Sequence, residues 1–359
     1  MQKSITVLSG DGVGPEVIKQ TVKVLLGIAK KYNHRFHLDY GLIGAAAIEQ
    51  TGRPLPNETL NLCQKSDAIL FGAVGDPKYD LDPKNKIRPE QGILQLRQSL
   101  NLYANLRPVK IYPELIKSSP FKSERIQGVD LIIVRELTGG IYFGKPRLRK
   151  NDGETAIDTC IYTKAEITRI AKVAFELALK RRKRVTSVDK ANVLETSRLW
   201  RETVSELIRQ YPIIDLHHMF VDNAAMQLIK NPQQFDVILT ENMFGDILSD
   251  EAGVLTGSIG LLPSASIGEK YALYEPIHGA YNKASGKNIA NPLASILSAA
   301  MMLRISFKLE KEAQTIENAV RQLIEAGLLT ADLVNKNTPK DKILGTKEIG
   351  ERILHVIMF

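Results

Sequence analysis

Cysteine is scarce in this chain: 359 residues contain only Cys63 and Cys160, far apart and without metal-ligand spacing. That excludes a disulfide-stapled scaffold and a cysteine zinc site, and it fits a reducing, cytoplasmic setting. Aromatics are few, at 6%, so a base-stacking nucleic-acid surface has little to build on. Nor is there any approach to the roughly 18 consecutive apolar residues of a membrane helix. The N-terminus lacks the charged region, apolar stretch and cleavage site of a secretory leader, and enters directly into a strand-like run at 5–8. No internal repeat or low-complexity tract interrupts the chain.

What is present is a globular balance, 44% hydrophobic and 25% charged, with a formal charge of +8. A basic excess alone is compatible with nucleic acid, an anionic membrane surface or an acidic small substrate. The wholly basic run 180–184 closes a helical pattern, where the dipole favours cations, and carries no aromatics. It reads as a solvated helix terminus. Neither a nucleic-acid nor a membrane partner is expected.

Short apolar runs at 5–8, 68–71, 131–134 and 237–239 alternate with longer helical patterns, the signature of an α/β protein whose sheet is covered by helices. Pro15 after Gly14 suits the first turn of a helix reaching Lys31, Asn57 with Glu58 opens another, and 91–104 reads as a third. Residues 75–89 form a polar, proline-containing loop. From Asn105 the pattern changes to long strands and hairpin-like turns, Gly139-Gly140 among them, until helices resume near Thr163. At roughly 150 residues per domain the chain suits two, with a crossing near residue 104.

The segment Gly10-Asp11-Gly12-Val13-Gly14-Pro15 follows a strand and opens a helix, yet the third glycine falls at the wrong step for a dinucleotide fingerprint. It reads as a tight strand-to-helix turn. Arg97 lies on one helical face with Ile93 and Leu94, Arg107 precedes Pro108, and Arg135 ends the strand 131–134. Singly these are ordinary ion-pairing residues. Jointly, beside an apolar wall, guanidinium forks suit a dicarboxylic acid with a greasy substituent.

Asp246 and Asp250 sit one helical turn apart, where like charges cost roughly 0.2–0.5 kcal/mol. A hard divalent cation reverses that sign; two exposed aspartates near a helix start are the alternative. Asp222 is either a third carboxylate or a helix N-cap. Tyr142 and Lys190 are either structural or an acid–base pair, whose pKa values arginines and a metal would lower. Among six histidines, His278 alone, beside Gly279, has a setting in which backbone can approach a flat cofactor.

In order and spacing, the segments 10–17, 89–108, 135–144, 187–194, 221–226, 241–253 and 278–292 resemble the isocitrate/isopropylmalate family of β-decarboxylating dehydrogenases. That family also includes enzymes for homoisocitrate, malate and tartrate. The resemblance implies a two-domain, non-Rossmann α/β fold. A discontinuous first domain, 1–104 with 255–359, would bind the cofactor; a second, 105–254, would hold substrate and metal and form a homodimer.

It further implies that Arg97, Arg107 and Arg135 hold substrate carboxylates, and that Asp222, Asp246 and Asp250 bind Mg²⁺ or Mn²⁺, with Asp222 also against the substrate. Lys190, helped by Asp222, would accept the hydroxyl proton, and Tyr142 would protonate the carbanion equivalent left as CO₂ departs. Lys190 and Asp222 would reach across the dimer into the neighbouring site. Glu90, His278, Gly279, Lys283, Gly286, Ala290 and Asn291 would contact the cofactor. NAD-using relatives usually carry an aspartate where Lys283 stands, while NADP-using isocitrate enzymes have lysine followed by tyrosine. Ala284 follows here, so NAD is expected. Ile93 and Leu94 occupy the stretch that sets substrate choice, where isocitrate enzymes use polar residues, and an apolar pair favours an isopropyl group. The implied reaction converts (2R,3S)-3-isopropylmalate to 4-methyl-2-oxopentanoate in leucine biosynthesis, with isocitrate or D-malate as the alternative substrates.

Overall fold

The computed structural model describes residues 1–81 and 86–359, so residues 82–85 of the expected 75–89 loop lie outside the described residues. Along the chain the strands are β1 (Gln2–Gly10), β2 (Arg35–Tyr40), β3 (Ala68–Ala73), β4 (Ala104–Lys110), β5 (Asp130–Glu136), β6 (Leu148–Lys150), β7 (Thr155–Ile157), β8 (Arg184–Asp189), β9 (Asp215–Phe220), β10 (Val237–Thr240), β11 (Pro263–Ile267) and β12 (Ala272–Pro276). The chain divides into two compact units. The first holds Met1–Leu102, Tyr112–Ser119 and Thr256–Phe359; the second holds Tyr103–Ile111 and Pro120–Leu255. Segment 112–119, expected with the middle of the chain, falls in the first unit, where Leu115 is buried and Ser118 Oγ donates to the Leu333 carbonyl at 2.7 Å.

In the first unit the strand order is β2-β1-β3-β12-β11, parallel except for the antiparallel β12–β11 pair. Every residue of β3 is buried, as expected of a strand covered on both faces. The helix Gly14–Lys31 buries Val17, Ile18, Val24, Leu25 and Ile28, the stripe that a 3.6-residue period requires. Between β1 and this helix, Gly10 has φ +71° and a Cβ there would stand 1.8 Å from the Ala73 carbonyl oxygen. The buried Asp11 carboxylate accepts from the backbone N–H of Ala45, Ala46 and Gly75. The glycine-rich turn is thus a strand-to-helix lock. The helix expected over 91–104 runs Glu90–Ser99, because Asn101 enters the left-handed region at φ +49° and Ala104 already begins β4.

In the second unit the order is β4-β5-β10-β8-β9, parallel except for β4–β5. Its helix Lys164–Leu179 starts at a capping box of Thr163 and Glu166. Gly139-Gly140 does not turn a hairpin; it leads into the single helical turn Gly140–Tyr142, and the hairpin nearby is β6–β7. The basic run is solvated at Lys180, Arg182, Lys183 and Arg184, and it also forms ion pairs. Arg181 binds Asp130 at 2.7 Å and Asp236 at 2.8 Å, and Arg184 binds Asp215 at 3.2 Å. Asp236 is buried, and a buried carboxylate demands such partners. Among the described residues no helix is long and apolar enough to cross a membrane.

Candidate active site

Antiparallel pairing sets Asn105 opposite Arg135 and Arg107 opposite Ile133, which puts both arginines on one face of the β4–β5 pair. The helix Asn242–Gly253 lies over that face. A Cβ on Gly245 would stand 2.7 Å from Arg135 Cγ, so glycine lets helix and strand approach this closely. Asp246 and Asp250 project from the same helix. Arg135 Nη1 reaches Asp246 Oδ1 at 2.5 Å, while Arg107 Nη1 lies 3.4 Å from Asp246 Oδ1 and 3.7 Å from Asp250 Oδ1. The Tyr142 hydroxyl donates to Asp246 Oδ2 at 3.0 Å. Arg107, Arg135, Tyr142, Asp246 and Asp250 therefore form one cluster.

Both arginines are themselves held. Arg107 Nε donates to Asn105 Oδ1 at 2.7 Å and its Nη1 to Ser249 Oγ at 2.5 Å. Asn242 Oδ1 accepts from Arg135 Nε and Nη2. Both guanidinium groups are buried, 6% and 2% exposed, and these bonds fix their orientation. The titration of Tyr142 differs from the expectation of a lowered pKa. Burial pushes the phenol up, the Asp246 charge 3.0 Å away adds to that, and Arg135 opposes it. Tyr142 is thereby kept as a neutral phenol. Burial likewise raises Asp250, against Arg107 and reinforced by Asp246.

Two partly exposed carboxylates, with side chains 35% and 61% accessible, present hard oxygens from successive turns. Their mutual repulsion is what a Mg²⁺ or Mn²⁺ ion would relieve, so the donor set fits such an ion, with room for other ligands. Among the described residues, no three His, Cys, Asp or Glu side chains of one chain group into a metal site. Asp222 instead pairs with Lys190, Nζ to Oδ1 at 2.5 Å, and that bond holds the Asp222 carboxyl below its usual range. Asp222 is the second residue of the helix Val221–Lys230, whose N-cap position is taken by Phe220.

Arg97 belongs to the first unit, where its Nη2 binds Glu275 Oε1 at 2.8 Å and its Nε is buried without a partner. Ile93 is packed into a core cluster with Leu8, Ile43 and Phe71, so Leu94 is the one of the pair that keeps accessible surface. A cavity of about 270 Å³ in the first unit is lined by His278, Gly279, Ala290 and Asn291. Glu90, Lys283 and Gly286 are not in its wall. His278 Nδ1 donates to the Gly279 carbonyl at 3.0 Å, and burial lowers the ring's pKa. That leaves Nε2 as a buried acceptor without a partner, which suits a hydroxyl of a nucleotide ribose. Asp332 also lines the cavity and accepts from Asn291 Nδ2 at 3.1 Å. Nothing in its sequence surroundings, the mostly apolar run 328–334 without a motif, marked Asp332 out.

A family model described as isocitrate/isopropylmalate dehydrogenase matches residues 4–353. A 3-isopropylmalate dehydrogenase of Priestia megaterium is 56% identical over 360 residues, covering 99% of this chain and 96% of its own. The enzyme of that name from Bacillus subtilis is 51% identical, covering 100% and 98%. Among solved structures, an isocitrate dehydrogenase from Methylococcus capsulatus superposes with a TM-score of 0.89 at 35% identity, covering 99% of this chain and 100% of that one.

Proposed function

The chain belongs to the isocitrate/isopropylmalate dehydrogenase family, and from that premise we propose that it oxidises and decarboxylates (2R,3S)-3-isopropylmalate to 4-methyl-2-oxopentanoate, with NAD as oxidant, in leucine biosynthesis. The observation that carries the reading is the cluster of Arg107, Arg135, Tyr142, Asp246 and Asp250, which combines carboxylate recognition, hard oxygen donors and a neutral phenol. The 3-isopropylmalate dehydrogenases cited above support the choice of substrate, and the accessible apolar Leu94 suits an isopropyl group.

Arg107 and Arg135 bind and orient a substrate carboxylate, and Arg97 is assigned a carboxylate as well. Mg²⁺ or Mn²⁺ at Asp246 and Asp250, joined by Asp222 of a second copy, would supply positive charge beside the oxygen that becomes negative as CO₂ leaves. NAD, assigned to the first unit, would take the hydride. Lys190, oriented by its bond to Asp222, accepts the hydroxyl proton in its unprotonated form. Tyr142, kept protonated, delivers a proton to carbon. Lys190 and Asp222 form a pair of their own, and we assign them to the site of the partner in a homodimer. In support, the helices Val221–Lys230 and Asn242–Gly253, with Val254 directly after the second, leave Met226, Ile229, Ile247 and Val254 between 46% and 59% exposed, an apolar surface that a second copy would cover. The cytoplasm suits two free cysteines.

Incubation with 3-isopropylmalate, NAD and Mg²⁺ is expected to give reduced nicotinamide, CO₂ and 4-methyl-2-oxopentanoate in equal amounts. Reduced cofactor without CO₂ would contradict the reading. NADP is expected to give the lower kcat/KM, because the lysine at 283 is followed by Ala284 rather than a second anion-binding side chain. A value equal to or above that for NAD would overturn the cofactor assignment alone.

A further inference from the structure

Asn242 opens the helix that carries Asp246 and Asp250, is fully buried, and uses both ends of its amide. Its Oδ1 accepts from Arg135 Nε at 3.1 Å and Nη2 at 2.7 Å, and its Nδ2 donates to the Gly139 carbonyl at 3.1 Å. The orientation of the amide is forced, since a guanidinium only donates and a carbonyl only accepts. Gly139 immediately precedes the turn Gly140–Tyr142 that presents the phenol to Asp246. The backbone N–H of Asn242 in turn donates to the Tyr162 hydroxyl at 2.9 Å, and that hydroxyl donates to Glu241 Oε2 at 3.2 Å, which fixes the start of the helix.

We propose that Asn242 is a positioning residue that holds the carboxylate-binding Arg135 and the proton-donating Tyr142 turn in one register with the helix bearing Asp246 and Asp250. The inference rests on reading this cluster as the active site. One planar side chain spans the two groups, so a shift of either transmits to the other. No other standard side chain of this length offers an acceptor and a donor in this geometry: aspartate lacks the donor, and leucine has neither.

The two bonds are separable by substitution. Asn242→Asp keeps an oxygen facing Arg135 and sets a second oxygen against the Gly139 carbonyl, so it breaks the tyrosine arm and spares the arginine arm. Asn242→Ala removes both. With Asn242→Asp, kcat is expected to fall roughly 10–100-fold through misplacement of the proton donor, with KM within about threefold of the parent. With Asn242→Ala, KM is expected to rise roughly tenfold as well. A readout independent of turnover is the rise in melting temperature on adding the substrate acid, retained in the aspartate variant and lost in the alanine variant.

A merely structural residue would lower the fraction of active enzyme equally in both variants, with an unchanged KM. That outcome, or parent-like kinetics in Asn242→Asp, overturns the proposal. So does failure of Asn242→Asp to fold, because the contact with Arg135 is preserved there. The same comparison is to be made on whichever of 3-isopropylmalate, isocitrate or D-malate the parent oxidises. An error in the assigned substrate then shows in the parent, and an error about Asn242 shows only in the variants.

Discussion

Lys190→Ala is expected to lower kcat roughly 10²–10⁴-fold, the range attached to a positioned general acid or base, and Tyr142→Phe is expected to do the same. The lysine contacts Asp222 and lies over the Phe220 ring at 5.9 Å, on the half-exposed edge of the second unit, so its loss costs little packing. Tyr142 loses only a hydroxyl, which bonds to Asp246, and Asp246 keeps the short contact with Arg135. Neither change should unfold the protein, and circular dichroism matching the parent checks this. The pair also tests the shared site. If Tyr142 of one subunit works with Lys190 of the next, unfolding and refolding an equal mixture of the two variants regenerates one intact site in each hybrid dimer, about a quarter of parental activity. Self-contained sites would give no recovery. Near-parental turnover in either variant would show that the roles of Lys190 and Tyr142 are wrongly assigned.

Thorough metal removal is expected to abolish turnover at least about a hundredfold, with Mg²⁺ or Mn²⁺ restoring it, since several kcal/mol of charge stabilisation is withdrawn. Asp250→Asn is the more informative variant. Asp246 also anchors Arg135 and Tyr142, so replacing it disturbs three functions at once, whereas Asp250 is 61% accessible and faces Arg107 at 3.7 Å. Asp250→Asn should raise the metal concentration for half-activation by roughly 10–100-fold, with maximal rate approached at saturating metal. Undiminished activity in the chelated enzyme would remove the cation from the mechanism.

Local features of this chain were readable from its residues. The misplaced third glycine of the 10–15 segment pointed to a turn, and the structure gives a turn locked by Asp11. Spacing put Asp246 and Asp250 on one helical face, and Arg135 stood out because its charge closes an apolar run. Partnerships across the chain were not readable. Arg97 finds Glu275 from a position 178 residues away, and the basic run finds Asp130 and Asp236, through strand order that no local pattern encodes. The fold likewise decided that Ile93 enters the core while Leu94 keeps its surface. Asn242 lay inside a segment noticed for its aspartates, yet its bonds to Arg135 and Gly139 depend on the register of β5 against the helix. The direction of the Tyr142 shift was missed for a related reason: burial and the carboxylates of Asp246 and Glu241 outweigh the arginine.

The central claim is substrate identity, and it is tested most directly by kcat/KM for 3-isopropylmalate, isocitrate and D-malate, measured side by side with NAD and saturating Mg²⁺. The apolar Leu94 surface and the 3-isopropylmalate dehydrogenases among the relatives lead to the expectation that 3-isopropylmalate exceeds both others by at least about tenfold, the scale at which a small apolar substituent is discriminated. A higher kcat/KM for isocitrate or D-malate would contradict it.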